Sequence, residues 1–277
     1  MKIGIIIQAR SSSTRLPGKI FKKLPFGGNL SVLDQVIKRV KRSKEAGEII
    51  IATTEDVADK SVVEIADKNG VKWFRGSKYD VLARYYLAAK ENNIDIVVRV
   101  TSDCPCIDSE IIDLVVSTQQ RTKSDYVANC LERSYPHGLD TEVFTFDALS
   151  QAYKNAKKDH EREHVTPYIC ANPDIFQIKN IKAPKKLFAP EIRVTIDLEE
   201  DYVLLCAVFD YLYTKKPFFG ANDLIGLFKN KPWLKLINKK IVQKKILNSV
   251  KEEVAEAVKI LDLQDLKRAK KLLEKYA

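Results

Sequence analysis

The first 129 residues alternate short, continuously apolar runs with longer amphipathic ones, and this alternation leaves very few folds open. Ile3–Ile7, Glu48–Ala52, Val71–Phe74, Ile94–Val100 and Asp125–Asn129 read as strands. Leu30–Arg42, Val57–Asn69, a segment from an Asp80 cap to Asn92, and Asp108–Gln119 read as helices, with Gly70 ending the second. A strand that is apolar throughout needs cover on both faces. Strands alternating with helices join by right-handed crossovers into a mostly parallel sheet. The expected class is therefore α/β. Ligands of such sheets bind beyond the carboxyl ends of the strands, so the loops after Ile7, Ala52, Phe74 and Val100 share one rim.

The remainder is less regular. Thr141–Phe146, Phe176–Lys182 and Ile192–Ile196 read as strands; Asp147–Lys157, Glu161–Asn172 and Glu199–Leu212 read as helices. A mixed insertion of this kind usually shapes an acceptor pocket. Beyond Pro217 the pattern turns helical, over Asn222–Phe228, Val242–Leu261 and Asp262–Tyr276. We expect one domain over residues 1–213 and a basic helical extension over 214–277.

Charge divides the same way. From Tyr213 onward the chain holds 16 of its 47 Lys and Arg but only 7 of its 37 Asp and Glu, so the tail carries nearly all of the net charge of +10. A nearly neutral body argues against a nucleic-acid binder. The tail helices suit packing on the body or on a second subunit of a homodimer; attraction to an anionic membrane surface and contact with an anionic glycan or nucleic acid are the other readings. No apolar run approaches the roughly 20 residues of a membrane span. No secretory segment precedes the first strand, so a cytoplasmic location is expected. The five cysteines lack zinc-type spacing and read as reduced and non-catalytic.

The chemistry concentrates at strand ends. The first loop, QARSSSTRLPGK from Gln8 to Lys19, carries Arg10, Arg15 and Lys19 with Pro17-Gly18 near its end. It is not a GxxxxGK[ST] loop, yet it suits an anion held against backbone N–H groups. Its plainer role is a polar surface turn. Asp103 follows one apolar strand and Asp197 another, and two such carboxylates suit one Mg²⁺ completed by water and phosphate oxygens. Their plainer roles are a turn cap and the N-cap of the helix near Glu199, with Glu200 as its capping-box partner. Arg75 and Ser77 stand on the same rim and suit a nucleotide or a plain turn. Asn129, His137, Asp140, Glu142, Glu163 and His164 are polar groups within the insertion, and His164 suits a structural histidine as well as an acid or base.

QARSSSTRLPGK, FRGSKYDVLARYY, VVRVTSDCPCID, YPHGLDTEVF, EREHVTPY and TIDLEEDY together resemble, in order and spacing, the cytidylyltransferase-like family of spore-coat polysaccharide biosynthesis. That family is related to the synthetases that make CMP-neuraminate and CMP-3-deoxy-manno-octulosonate. The resemblance covers Lys2 to Tyr213. It implies a Rossmann-like, glycosyltransferase-A-type nucleotidyltransferase fold with a mostly parallel central sheet, followed here by the helical extension. It implies CTP and a sugar-like acceptor as substrates and Mg²⁺ as cofactor. Gln8, Ala9, Arg10, Arg15, Lys19, Arg75, Ser77, Thr101, Ser102 and Asp103 would then contact the nucleotide. Asp103 and Asp197 would hold the metal and, with Arg15 and Lys19, carry catalysis. Asn129, Asp140, Glu142, Glu163 and His164 would face the acceptor. Ser11 replaces the Met of the family pattern, Ser102 a Gly, and Cys106 an aliphatic residue. The base follows from the resemblance alone. A glycosyltransferase using a nucleotide sugar on the same fold is the alternative, and a non-catalytic scaffold a more distant one.

Overall fold

The computed structural model describes residues 1–241 and 249–276. Contacts divide the chain into two units, Met1–Lys239 and Lys240–Ala277.

The first unit is built on a seven-stranded sheet. Its strands are β1 (Ile3–Gln8), β2 (Glu48–Thr54), β3 (Lys72–Gly76), β4 (Ile96–Thr101), β5 (Tyr126–Ala128), β6 (Glu142–Thr145) and β7 (Ile178–Asn180). Their order is β3-β2-β1-β4-β6-β5-β7, with β6 antiparallel to both of its neighbours and the other pairs parallel. Both faces are covered, as continuous apolar strands require. Ile5 and Ile7 enter one buried cluster, whereas Ile6 between them enters the other.

The helices of this unit are α1 (Val32–Val40), α2 (Lys60–Lys68), α3 (Val81–Glu91), α4 (Ser109–Thr122), α5 (Phe146–Asn155), α6 (Asp159–His164), α7 (Pro167–Cys170), α8 (Glu199–Leu212) and α9 (Ala221–Asn230). Their starts are written locally. Ser31 and Asp34 form a reciprocal capping box on α1, and Asp80 accepts from Ala83 N at the head of α3. Asp108 caps α4 through Glu110 N and also takes Ala221 N, joining the heads of α4 and α9.

Three expectations change. The helix expected over Glu161–Asn172 is broken into α6 and α7, because Val165 adopts a φ of 73° and Pro167 starts the next turn. Ile192–Ile196 is not a ladder strand: Arg193 makes one isolated bridge to His137, and Ile196 N donates to Asp103 O. The first unit also runs past Tyr213 to Lys239. Phe219, Leu224, Phe228 and Leu234 are buried in its main core, and Arg39 donates to the carbonyls of Pro217 and Phe219.

The second unit holds α10 (Val250–Leu263) and α11 (Lys267–Leu273). The expected start of the first tail helix, residues 242–248, lies outside the described residues. Among the described residues no helix is long and apolar enough to cross a membrane. All five cysteines are free thiols.

Candidate active site

Buried apolar anchors shape the first loop. Leu16 and Ile20 sink into the core on either side of Lys19. Gly18 takes a φ of 66°, and its N–H returns to Ser11 O at 3.3 Å. Asp59 accepts from Ser11 N at 2.6 Å and also from the Thr54 hydroxyl, fixing the loop to the end of β2. Lys19 is thereby aimed across the rim.

It meets both strand-end aspartates. Lys19 Nζ donates to Asp103 Oδ2 at 2.7 Å and to Asp197 Oδ1 at 3.0 Å. The two acids are 94 positions apart in the chain, yet the backbone joins their segments: Asp103 O accepts from Ile196 N at 2.9 Å and from the Thr195 hydroxyl at 3.1 Å. Asp197 does not serve as the cap of α8. That work falls to Asp201, which is fully buried and accepts from the N–H groups of Asp197 and Leu198. Both Asp197 oxygens therefore face cations: Oδ1 takes Arg15 at 2.9 Å as well as Lys19, and Oδ2 takes Arg193 at 2.7 Å.

The electrostatics follow. Burial alone would raise the Asp197 carboxyl, but Lys19, Arg193 and Arg15 overcome that and hold it at about 2. Burial likewise works against the charged forms of Asp103 and Lys19, yet their mutual attraction lowers the first and raises the second. Burial and the neighbouring Asp103 push the Cys104 thiol well up, so it stays protonated and is no nucleophile.

A pH prediction arises here. The folded Asp197 value lies below its ordinary 3.8, so its pairing stabilises the fold fully above pH 3.8 and is lost as pH falls toward 2. Converted by linkage, that shift is worth about 2 kcal/mol. Denaturant unfolding at a series of acidic pH values should show Asp197→Asn losing this part of the slope. Identical slopes for the two chains would refute the pairing.

Other predicted residues are placed differently. Arg75 is tied up by backbone, donating to Thr54 O and Asp56 O at 2.9 Å each, and so shapes the loop after β2. Ser77 accepts from Asp80 N and Tyr79 N in the turn before α3. Ala9 N donates to Ala52 O, Ser102 N to Gln8 O, and the Thr101 hydroxyl lies beside Cys104 Sγ. Arg10 is exposed on the loop. Asn129 is buried and clamps its own turn, accepting from Thr141 N and donating to Leu139 O. Arg133 grips Asp140 with two nitrogens, at 2.9 and 3.1 Å. Glu163 is exposed on α6, and His164 is half-buried at its end.

Glu142 needs correction. It is not open to an acceptor but lies in a buried network, bound by Arg99 and accepting from Tyr126 OH at 2.6 Å and Thr166 Oγ1 at 2.7 Å. The neighbouring rim also holds groups that sequence reasoning passed over. Arg193 binds Asp197, Asp201 and His137 Nδ1, and Arg99 binds Glu142 and Gln8. Both arginines interrupt apolar runs, and that interruption was the available signal. Among the described residues no group of three or more His, Cys, Asp or Glu side chains is arranged to hold a metal. Any cation here would rest on the Asp103–Asp197 pair and on ligand oxygens.

A family model described as cytidylyltransferase matches residues 4–219. An uncharacterized protein of Methanocaldococcus jannaschii is 41% identical over 88% of this chain and 97% of its own length. The spore coat polysaccharide biosynthesis protein SpsF of Bacillus subtilis is 33% identical over 82% of this chain and 94% of its own. The solved structure of a cytidylyltransferase from Leptospira borgpetersenii is 39% identical, covers 88% of this chain and 100% of that one, and superposes with a TM-score of 0.79.

Proposed function

The chain belongs to the cytidylyltransferase family, and from that premise we propose that it transfers CMP from CTP to a sugar-like acceptor, an acidic sugar or a sugar or polyol phosphate, in surface polysaccharide biosynthesis. An acceptor oxygen attacks the α-phosphorus and a new P–O bond forms. The bond to the bridging oxygen breaks, and pyrophosphate leaves with the electron pair. The observation that carries this reading is the convergence of Lys19, Asp103 and Asp197 at the carboxyl ends of β1 and β4.

In such a reaction the protein mostly positions groups and stabilises charge. Arg10 and Arg15 lie exposed on the loop and supply cations to the β- and γ-phosphates. Arg15 suits a bidentate grip on phosphate oxygens. Lys19 is fixed by its anchors and neutralises charge at the break. Asp103 and Asp197 share one cation, the Lys19 ammonium, so the pair fits Mg²⁺, which takes one or two carboxylates and completes its shell with water and phosphate oxygens. Bound there, Mg²⁺ would polarise the α-phosphate. Asp140, held by Arg133, and His137, held by Arg193, belong to the acceptor side in this reading. Burial lowers the His137 value, so its ring is neutral and adds no charge at neutral pH.

A thermal-shift panel of CTP, UTP, ATP and GTP with Mg²⁺ tests the nucleotide, and CTP is expected to give the largest shift. Pyrophosphate assays against acidic sugars and sugar or polyol phosphates then test the transfer. Preference for another nucleotide, or release of free nucleoside diphosphate from a nucleotide sugar, would overturn the reading.

A further inference from the structure

Arg99 lies in β4, in a run that is otherwise apolar or small, Ile96–Thr101. Its guanidinium is largely buried and spans two acceptors: it pairs with Glu142, and its Nε and Nη2 donate to Gln8 Oε1 at 3.3 and 3.1 Å. Glu142 is fixed in turn by the hydroxyls of Tyr126 and Thr166. The chain of contacts thus runs inward from Thr166 and outward to Gln8. Gln8 ends β1 and begins the first loop, beside Thr101 of β4.

Chemistry fixes which way the Gln8 amide points. Arginine has five N–H donors and no acceptor, so Gln8 can offer it only the carbonyl oxygen. The Nε2 amide therefore faces away from Arg99, and no described residue accepts a hydrogen bond from it. We propose that Arg99, braced by Glu142, is a positioning residue that presents Gln8 Nε2 as a fixed donor to an uncharged acceptor atom of the nucleotide. This rests on the nucleotidyl-transfer reading and deepens it. The loop's cations serve the phosphates, whereas a neutral carboxamide suits a base carbonyl or ring nitrogen, or a ribose oxygen. Holding the amide in one orientation before binding removes an ordering cost from the complex.

The test uses the full chain, with CTP affinity read by calorimetry and folding by thermal unfolding. Gln8→Glu keeps an acceptor for Arg99 and so keeps the fold, but it removes the donor. Gln8→Met removes the donor without adding charge. Each is expected to weaken CTP binding about tenfold or more, with little change in melting temperature. Arg99→Lys keeps the charge beside Glu142 but loses the fork on Gln8, and it should weaken CTP to a similar degree. The double variant Gln8→Met/Arg99→Lys should be no worse than the weaker single variant, because both changes remove one and the same contact. Structural damage alone would instead add. A loss confined to CTP assigns the contact to the ribose 2′-oxygen; equal losses for CTP and 2′-deoxy-CTP place it on an acceptor that both share. A native chain that binds no CTP overturns the nucleotidyl reading and this inference with it. A native chain that binds CTP, beside a folded Gln8→Glu chain that binds it equally well, overturns this inference alone.

Discussion

Replacing Asp103 by asparagine is expected to slow pyrophosphate release from CTP by about a hundred- to a thousandfold while leaving the chain folded. Asparagine keeps the size of the side chain and removes its charge. Lys19 loses one of two carboxylates but keeps Asp197 at 3.0 Å, so its ammonium is not stranded. The segment that carries Asp197 also stays in place, because it is bonded to Asp103 through the main-chain oxygen, which the substitution leaves intact. What disappears is half of the negative site on which a divalent cation would rest. A coupled pyrophosphate assay measures the rate. Titration with Mn²⁺ in the presence of CTP gives a second readout, and its affinity should fall with the rate. Turnover within threefold of the native chain would remove Asp103 from the chemistry. Unchanged Mn²⁺ affinity with lost turnover would leave Asp103 essential but not a metal ligand.

The half of the sheet built from β1 to β4 was legible because each of its signals is local. Ile3–Ile7 is apolar on both faces and Ile94–Val100 nearly so, broken by Asp95 and Arg99, and Asp80 and Asp108 stand directly before helical periodicity. The order of the other half was not legible. Nothing in Thr141–Phe146 states that the strand inserts antiparallel between β4 and β5, since that depends on how the segment after Asn129 folds back. Lys19, Asp103 and Asp197 could be chosen from their places at strand ends, but their meeting could not, because it depends on the Ile196–Asp103 main-chain bond. Asp197 is not the cap that spacing suggests, nor is Glu200 the partner: Asp201, four residues on, accepts from the N–H groups at the head of α8. A rim arginine such as Arg75 looks the same in sequence whether it binds a phosphate or, as here, two carbonyl oxygens.

Glu142→Ala is expected to be the most destabilising of the substitutions considered, and the reason is the group it leaves behind. Removing the carboxylate strands the Arg99 guanidinium and takes the acceptor from the Tyr126 and Thr166 hydroxyls. An uncompensated buried charge costs about 3–5 kcal/mol. Each stranded hydroxyl carries a further cost of about 1–3 kcal/mol. Since a domain is held by only about 5–15 kcal/mol in all, the urea midpoint should fall steeply. Glu142→Gln retains an acceptor oxygen for the hydroxyls and should cost less. The decisive comparison is with the double variant Arg99→Met/Glu142→Leu. It has no buried charge left to strand, so it should be more stable than Glu142→Ala alone, although it removes more of the native network. If the double variant is instead the less stable, the pair stabilises the fold by direct attraction. A Glu142→Ala chain that loses less than about 1 kcal/mol would mean that Arg99 finds another partner, and the brace behind Gln8 would then have to be sought elsewhere.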